Sequence, residues 1–247
     1  MTKLKANNDF VNKYCQVFSV IDTPPTIISR LGTDAFMKST LQYVKKGYVS
    51  CASPIGIDVP VLVYPDNALQ RNTIVVVGQD PLRKDNSNNN GDILWGYPFA
   101  IDCKKDEPHQ CEVYKNIFCR LLKDYNLYLT DASKVWKKPG CNFFRNRDNA
   151  KQLLHEIQWL QNEIGCQHNI ILLSMGRKAN KCICRMEKIS SQTSYPHITI
   201  LHPSIRNWHN WKKEYKGRCK EKLNKDFICD IAIKQIEKQL KALQKSN

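Results

Sequence analysis

The sequence predicts an α/β domain, a three-layer α/β/α sandwich with a mostly parallel central sheet. Three observations carry that expectation. Residues 73–77, TIVVV, form an unbroken β-branched and valine-rich run that suits a strand buried on both faces. Other apolar, strand-like segments at 59–64, 127–130, 170–173 and 198–201 are separated by helical periodicities or turn signals. Several of these segments end in glycine or in polar residues, which directs their loops to the sheet edge where open α/β sheets bind ligands.

The chain as a whole sets the limits. At 247 residues and 42% hydrophobic, it reads as a single domain, 1–247, with room for a large core. Within it, 1–70 form an N-terminal layer, 71–210 a motif-bearing core and 211–247 a basic helical region. No apolar run reaches the roughly eighteen residues of a membrane span. The opening MTKLKANNDFVNKYC lacks the apolar core of a secretion signal, so a cytoplasmic location is expected, or the nucleus in a eukaryotic cell. Eleven cysteines, odd in number and scattered, are expected as free thiols in a reducing compartment. The net charge of +15, from 38 Lys and Arg against 23 Asp and Glu, attracts polyanions such as nucleic acid.

In chain order, 34–47 has a helical spacing in Phe36, Leu41, Tyr43 and Val44, Pro24 and Pro25 bar a helix before it, and 59–64 reads as a strand. After the 73–77 strand, Gly78 permits a turn, leaving Gln79, Asp80 and Pro81 in the loop. Asp80 there either faces a crevice or caps the next helix. Residues 86–91 are polar turn formers and read as a surface loop, with Arg83 and Lys84 beside it as phosphate contacts or a solvated pair. Trp95, Tyr97 and Phe99 follow, as a flat wall for a base or as core anchors.

A helix over 113–125 is expected from Val113, Ile117, Phe118, Leu121 and Leu122, and the 127–130 strand delivers Asp131, Ala132, Ser133 and Lys134 at its end. Residues 147–164 form an amphipathic helix through Leu153, Leu154, Ile157, Leu160 and Ile164, with His155 at the edge of that stripe. The 170–173 strand turns at Gly176. Cys166, Cys182, Cys184 and His168 fall into C-x-H and C-x-C pairs that lack the spacing of structural zinc sites, so no metal is expected from them. The 198–201 strand ends in His202, Pro203 and Ser204. Residues 205–219, IRNWHNWKKEYKGRC, interleave aromatic and basic residues, either as a nucleic-acid surface or with Trp208 and Trp211 packing a terminal helix. A last amphipathic helix over 226–243 uses Phe227, Ile231, Ile236, Leu240 and Leu243.

GQDP at 78–81 and HPS at 202–204, with LYLTDASKVWKKPG at 127–140 and ILLSMGRKA at 171–179 between them, resemble the uracil-DNA glycosylase superfamily over about 70–210. The resemblance implies a monofunctional DNA glycosylase that hydrolyses the N-glycosidic bond of a flipped-out uracil or modified pyrimidine, 5-modified cytosine included. It implies DNA as the partner, a monomer, and neither metal nor cofactor. The C-x-x-C pair of the iron–sulfur branch is absent from the N-terminal region, so no cluster is expected.

On the same resemblance, Asp80 polarises the attacking water and favours the sugar cation, while His202 donates to O2 of the departing base. Gln79 contacts the base through its backbone, and Phe99 is the nearest match to the family's stacking phenylalanine, with Trp95 or Tyr97 in that role if the loop alignment shifts. Pro81, Pro203 and Ser204 grip flanking phosphates beside Arg83 and Lys84, and Ile205 or Arg206 fills the gap left in the stack.

Two departures bear on specificity. Leu82 and Arg83 stand where family 1 enzymes carry Tyr-His, which opens the wall against the base's 5-position. Asp131 stands where the base-reading asparagine is expected, and an ionised carboxylate accepts from N4 of cytosine but cannot donate to O4 of uracil. The alternative is a non-catalytic DNA- or protein-binding module on the same fold.

Overall fold

The described strands are β1 (Thr26–Ser29), β2 (Gly56–Asp58), β3 (Val61–Tyr64), β4 (Thr73–Gly78), β5 (Leu94–Gly96), β6 (Asn126–Asp131), β7 (Ile170–Met175) and β8 (His197–Ile200). Six of them make the central sheet, in the order β1-β3-β6-β4-β7-β8. The computed structural model describes residues 26–29, 56–65, 71–79, 94–100, 110–133, 146–162, 170–190, 194–203, 207–214 and 224–245. β6, β4, β7 and β8 run parallel; beyond β6, β3 runs antiparallel to it and β1 antiparallel to β3, back in the common direction. A separate parallel pair joins β2 to β5. The helix expected over 34–47 lies outside the described residues.

β4 is central because its sequence suits nothing else. Every residue of β4, β6 and β7 is buried, which the unbroken apolar runs require of strands covered on both faces. Alternate side chains serve different layers. Ile74, Val76, Leu127, Leu129, Leu173 and Met175 join one core with helices α1 (Gln110–Leu121) and α5 (Lys225–Lys245). Val75, Val77, Tyr128 and Leu172 join a second core with α2 (Asn146–Asn162) and α3 (Arg177–Ser190). The result is helix, sheet, helix, as the pattern predicts.

Local chemistry sets the helix limits. The sequence carries the α1 pattern on to 125, but the chain leaves the helix at Leu121 through a turn in which the Tyr125 N–H still reaches the Leu121 carbonyl, 3.0 Å away. Asn224 caps α5, its Oδ1 accepting from the Phe227 N–H at 2.8 Å. Arg120–Asp230, 2.7 Å apart, and Lys225–Glu112 join α1 to α5 at the surface, where such pairs contribute about 0–1 kcal/mol each.

α3 is a finding that the sequence reading did not anticipate. Its core face is Ala179, Cys182, Ile183 and Met186, the spacing of one helical stripe. At the open side of the sheet, Gln239 of α5 mimics a neighbouring strand: the Thr199 N–H donates to its Oε1 and its Nε2 donates to the Thr199 carbonyl, both at 3.1 Å. That contact occupies backbone groups of an edge strand that would otherwise invite pairing. Among the described residues no helix is long and apolar enough to cross a membrane.

Candidate active site at the carboxyl edge of the sheet

The parallel register brings the ends of β4 and β6 side by side, with Gly78 opposite Asp131. Pairing continues past the strands, since the Ala132 N–H reaches the Gly78 carbonyl at 3.0 Å and the Ser133 N–H reaches the Gln79 carbonyl at 3.2 Å. Gln79 is thereby held by its carbonyl and only half-buried. Asp131 is 2% exposed, and its side chain folds across the neighbouring strand. A Cβ at position 78 would lie 2.1 Å from Asp131 Oδ1 and 3.0 Å from Phe99 Cε1. Glycine is therefore what lets the carboxylate and the ring close over the end of β4.

Phe99 reaches that position at a conformational cost. It sits in the short 3-10 turn Pro98–Ala100 with φ 65° and ψ 15°, the left-handed region that bulky residues avoid. Packing holds it there: its ring centroid lies 5.1 Å from Tyr114 and 5.1 Å from Phe118, the latter edge-on.

The second half of the site follows β8. Gly176, with φ 93°, turns the chain out of β7, and a Cβ there would meet the His202 Cβ at 2.9 Å. The Gly176 N–H donates to the Ile200 carbonyl at 2.9 Å, tying the two strand ends together. The His202 carbonyl accepts from Trp211 Nε1 and from Asn207 Nδ2, each at 3.2 Å. The imidazole meets Tyr114, whose Oη lies 3.1 Å from Nε2, with the two rings near perpendicular at 79°. Pro203 is buried beside it.

Tyr114 thus touches Phe99 on one side and His202 on the other, and a continuous wall runs from Asp131 over Gly78 and Phe99 to Tyr114 and His202. Of the residues expected from sequence, the structure brings Asp131, Phe99 and His202 to this wall and sets Gln79 at its rim. Asp80, Pro81, Leu82, Arg83, Lys84, Ser204, Ile205 and Arg206 lie outside the described residues.

Sequence reasoning missed Tyr114 and Asn207. Tyr114 sits on the α1 stripe with Ile117, Phe118 and Leu121, where a hydroxyl among apolar neighbours was the only signal. Of the two readings of 205–219, Trp211 takes the packing one: it is fully buried in α4 (Trp208–Glu214), and Trp208 packs partly buried against the same core.

A groove between α3, β8 and α5, lined by Gly176, Arg177, Leu201 and Lys238 among others, carries two basic side chains. Among the described residues, one grouping of metal-ligating side chains, Cys184, Glu187 and His197, stands apart from this wall.

The family model of the uracil DNA glycosylase superfamily matches residues 66–228, a span that contains Gly78, Asp131, Gly176, His202 and Trp211. No curated protein and no solved structure matches the chain.

Proposed function

The chain belongs to the uracil DNA glycosylase superfamily, and from that premise we propose that it is a monofunctional DNA glycosylase acting on a flipped-out uracil or modified pyrimidine, 5-modified cytosine among them. One observation supports the reading above the rest. A buried carboxylate, a strained aromatic ring and an imidazole arrive from separate elements and share one wall, closed by two glycines that leave no room for a side chain.

In this reading the base enters between the β4 and β8 ends. Phe99 offers its ring, and Asp131 meets the polar edge of the base. His202 donates a hydrogen bond to O2, where negative charge grows as the glycosidic bond breaks. The Tyr114 hydroxyl, 3.1 Å from Nε2 and 3.5 Å from Nδ1, holds the ring in place, and the tautomer decides which nitrogen carries the proton offered to the base. Asp80, the residue after Gln79, orients the water that attacks the sugar and favours its cationic character. The reacting water supplies a hydroxyl to C1′, and its proton leaves to the released base or to solvent. Arg177 and Lys238, with Pro81, Arg83, Lys84, Pro203 and Ser204, meet the phosphates of a DNA strand.

The test is direct. Labelled duplexes and single strands carrying uracil or 5-modified cytosines are incubated with the protein and then treated with alkali. Strand scission is expected, and D80N and H202A are each expected to lose about a hundredfold or more in single-turnover rate. Full activity in both variants would falsify the roles given to those residues. Salt-dependent binding without scission across the whole panel supports the alternative, a DNA-binding module without catalysis.

A further inference from the structure

A second constellation of chemistry-bearing side chains lies on the face of the sheet covered by α3. Cys184 and Glu187, three residues apart, share one side of that helix, and His197 opens β8 beneath it. A thiol sulfur, a carboxylate oxygen and a ring nitrogen, one from each residue, all lie within 4.8 Å of one another. We propose that Cys184, Glu187 and His197 form a binding site for a borderline-soft divalent cation, Zn2+ by the chemistry of its donors, that ties α3 to the start of β8.

The geometry is close to what a tetrahedral zinc ion needs. Metal–ligand distances of about 2.0–2.3 Å put the ligand atoms roughly 3.3–3.8 Å apart. Side-chain rotation closes the difference, because Cys184 is exposed and Glu187 and His197 are only half-buried. Asn180, one turn earlier on α3, has its Oδ1 3.5 Å from the Cys184 sulfur and holds the thiol on this side of the helix. Water completes the fourth position, and the thiol binds as thiolate with its proton released to solvent.

What surrounds His197 selects the nitrogen that binds. Its Nε2 lies 3.1 Å from Ser174 Oγ and 3.4 Å from Thr199 Oγ1. The Ser174 hydroxyl has its own acceptors in Thr199 Oγ1 at 3.0 Å and the Ile198 carbonyl at 3.4 Å, so it is available to accept from Nε2–H. Nδ1 then keeps its lone pair for the metal. Zinc-binding histidines are commonly fixed in this way through the opposite ring nitrogen.

The three donors were hidden from motif spacing because the histidine comes from a strand thirteen residues after the cysteine, and Cys182, which makes the C-x-C pair, faces the core. The site is also independent of the base-excision reading, since none of its residues belongs to the Asp131–His202 wall.

The test uses the full chain, reduced and stripped of metal, titrated with Zn2+ and in parallel with Co2+. With eleven cysteines in the sequence, the informative quantity is the difference between wild type and variants. Wild type is expected to bind one equivalent more than C184S, and its Co2+ form to carry a thiolate-to-cobalt absorption that C184S lacks. E187Q should bind about tenfold more weakly or worse, and S174A, which releases the His197 ring, roughly 10–100-fold more weakly. C119S, on α1 in the opposite layer, should bind as wild type does. C184S sits on an exposed helix position and keeps the fold, so equal stoichiometry and affinity in wild type and C184S overturns the site, as does a wild type that binds no zinc.

Discussion

The two glycines of the crevice solve the same steric problem by different means. At Gly78 the backbone is ordinary, and glycine is needed only because the Asp131 carboxylate and the Phe99 ring lie where a Cβ would be. At Gly176 two constraints coincide: a φ of 93° that L-residues avoid, and the His202 Cβ 2.9 Å from a built Cβ. The first contact is with the ends of side chains, the second with the root of one. The half of the site that carries Asp131 and Phe99 is therefore closed by side-chain packing, and the half that carries the imidazole is set by the main chain and pinned through the His202 carbonyl by Trp211 and Asn207.

That difference predicts the largest effect at Gly176. Gly176→Ala should displace His202 and its loop together, costing about 1–2 kcal/mol for the left-handed backbone alone and, on the proposed glycosylase reading, lowering the rate about a hundredfold for every substrate. Gly78→Ala should act otherwise, since the Asp131 carboxylate can swing away: the rate falls less and base preference changes. Thermal melts with single-turnover rates on uracil and 5-modified cytosine distinguish them. If both variants lose activity uniformly across substrates, the two halves do not differ as described.

Next in size is Asp131→Asn. A carboxylate that only accepts is replaced by an amide that also donates, so preference should move toward uracil by about 1–3 kcal/mol, the worth of a well-formed polar base contact. The readout is the ratio of single-turnover rates on uracil and cytosine-derived bases in otherwise identical DNA. Equal losses on every base would mean that Asp131 serves the fold alone.

How much of this was legible depended on which physical signal each feature leaves. The parallel strands were readable because burial on both faces forces unbroken β-branched and apolar runs, as in TIVVV at 73–77. Strand direction leaves no such trace, and nothing in 59–64 foretold that β3 pairs antiparallel to β6. α3 leaves a weak trace because its stripe of Ala179, Cys182, Ile183 and Met186 includes a small residue and a cysteine, which carry little apolar signal in a sequence otherwise rich in basic residues there. Asp131 and His202 were legible as strand-end residues because polar side chains at the ends of buried strands stand out, and both stand at the sheet edge. Tyr114 was not, because a tyrosine on a helix stripe looks like core until the structure shows its hydroxyl against an imidazole.

That hydroxyl gives the smallest and most specific expectation. Tyr114→Phe keeps the ring against Phe99 and Phe118, so stability should change by only about 0.5–1.5 kcal/mol, the net worth of one hydrogen bond. What it removes is the group that holds Nε2 of His202, and the imidazole can then turn or change tautomer. If Tyr114 positions the proton donor, the chemical step should slow about tenfold or less while DNA binding stays the same, and the pH dependence of the single-turnover rate should shift because the ring has lost its partner. A merely structural tyrosine would lower the melting temperature and leave that pH profile where it was. H202A provides the control: in that background Tyr114→Phe should have no further effect on rate, since two groups acting as one unit lose their shared contribution only once.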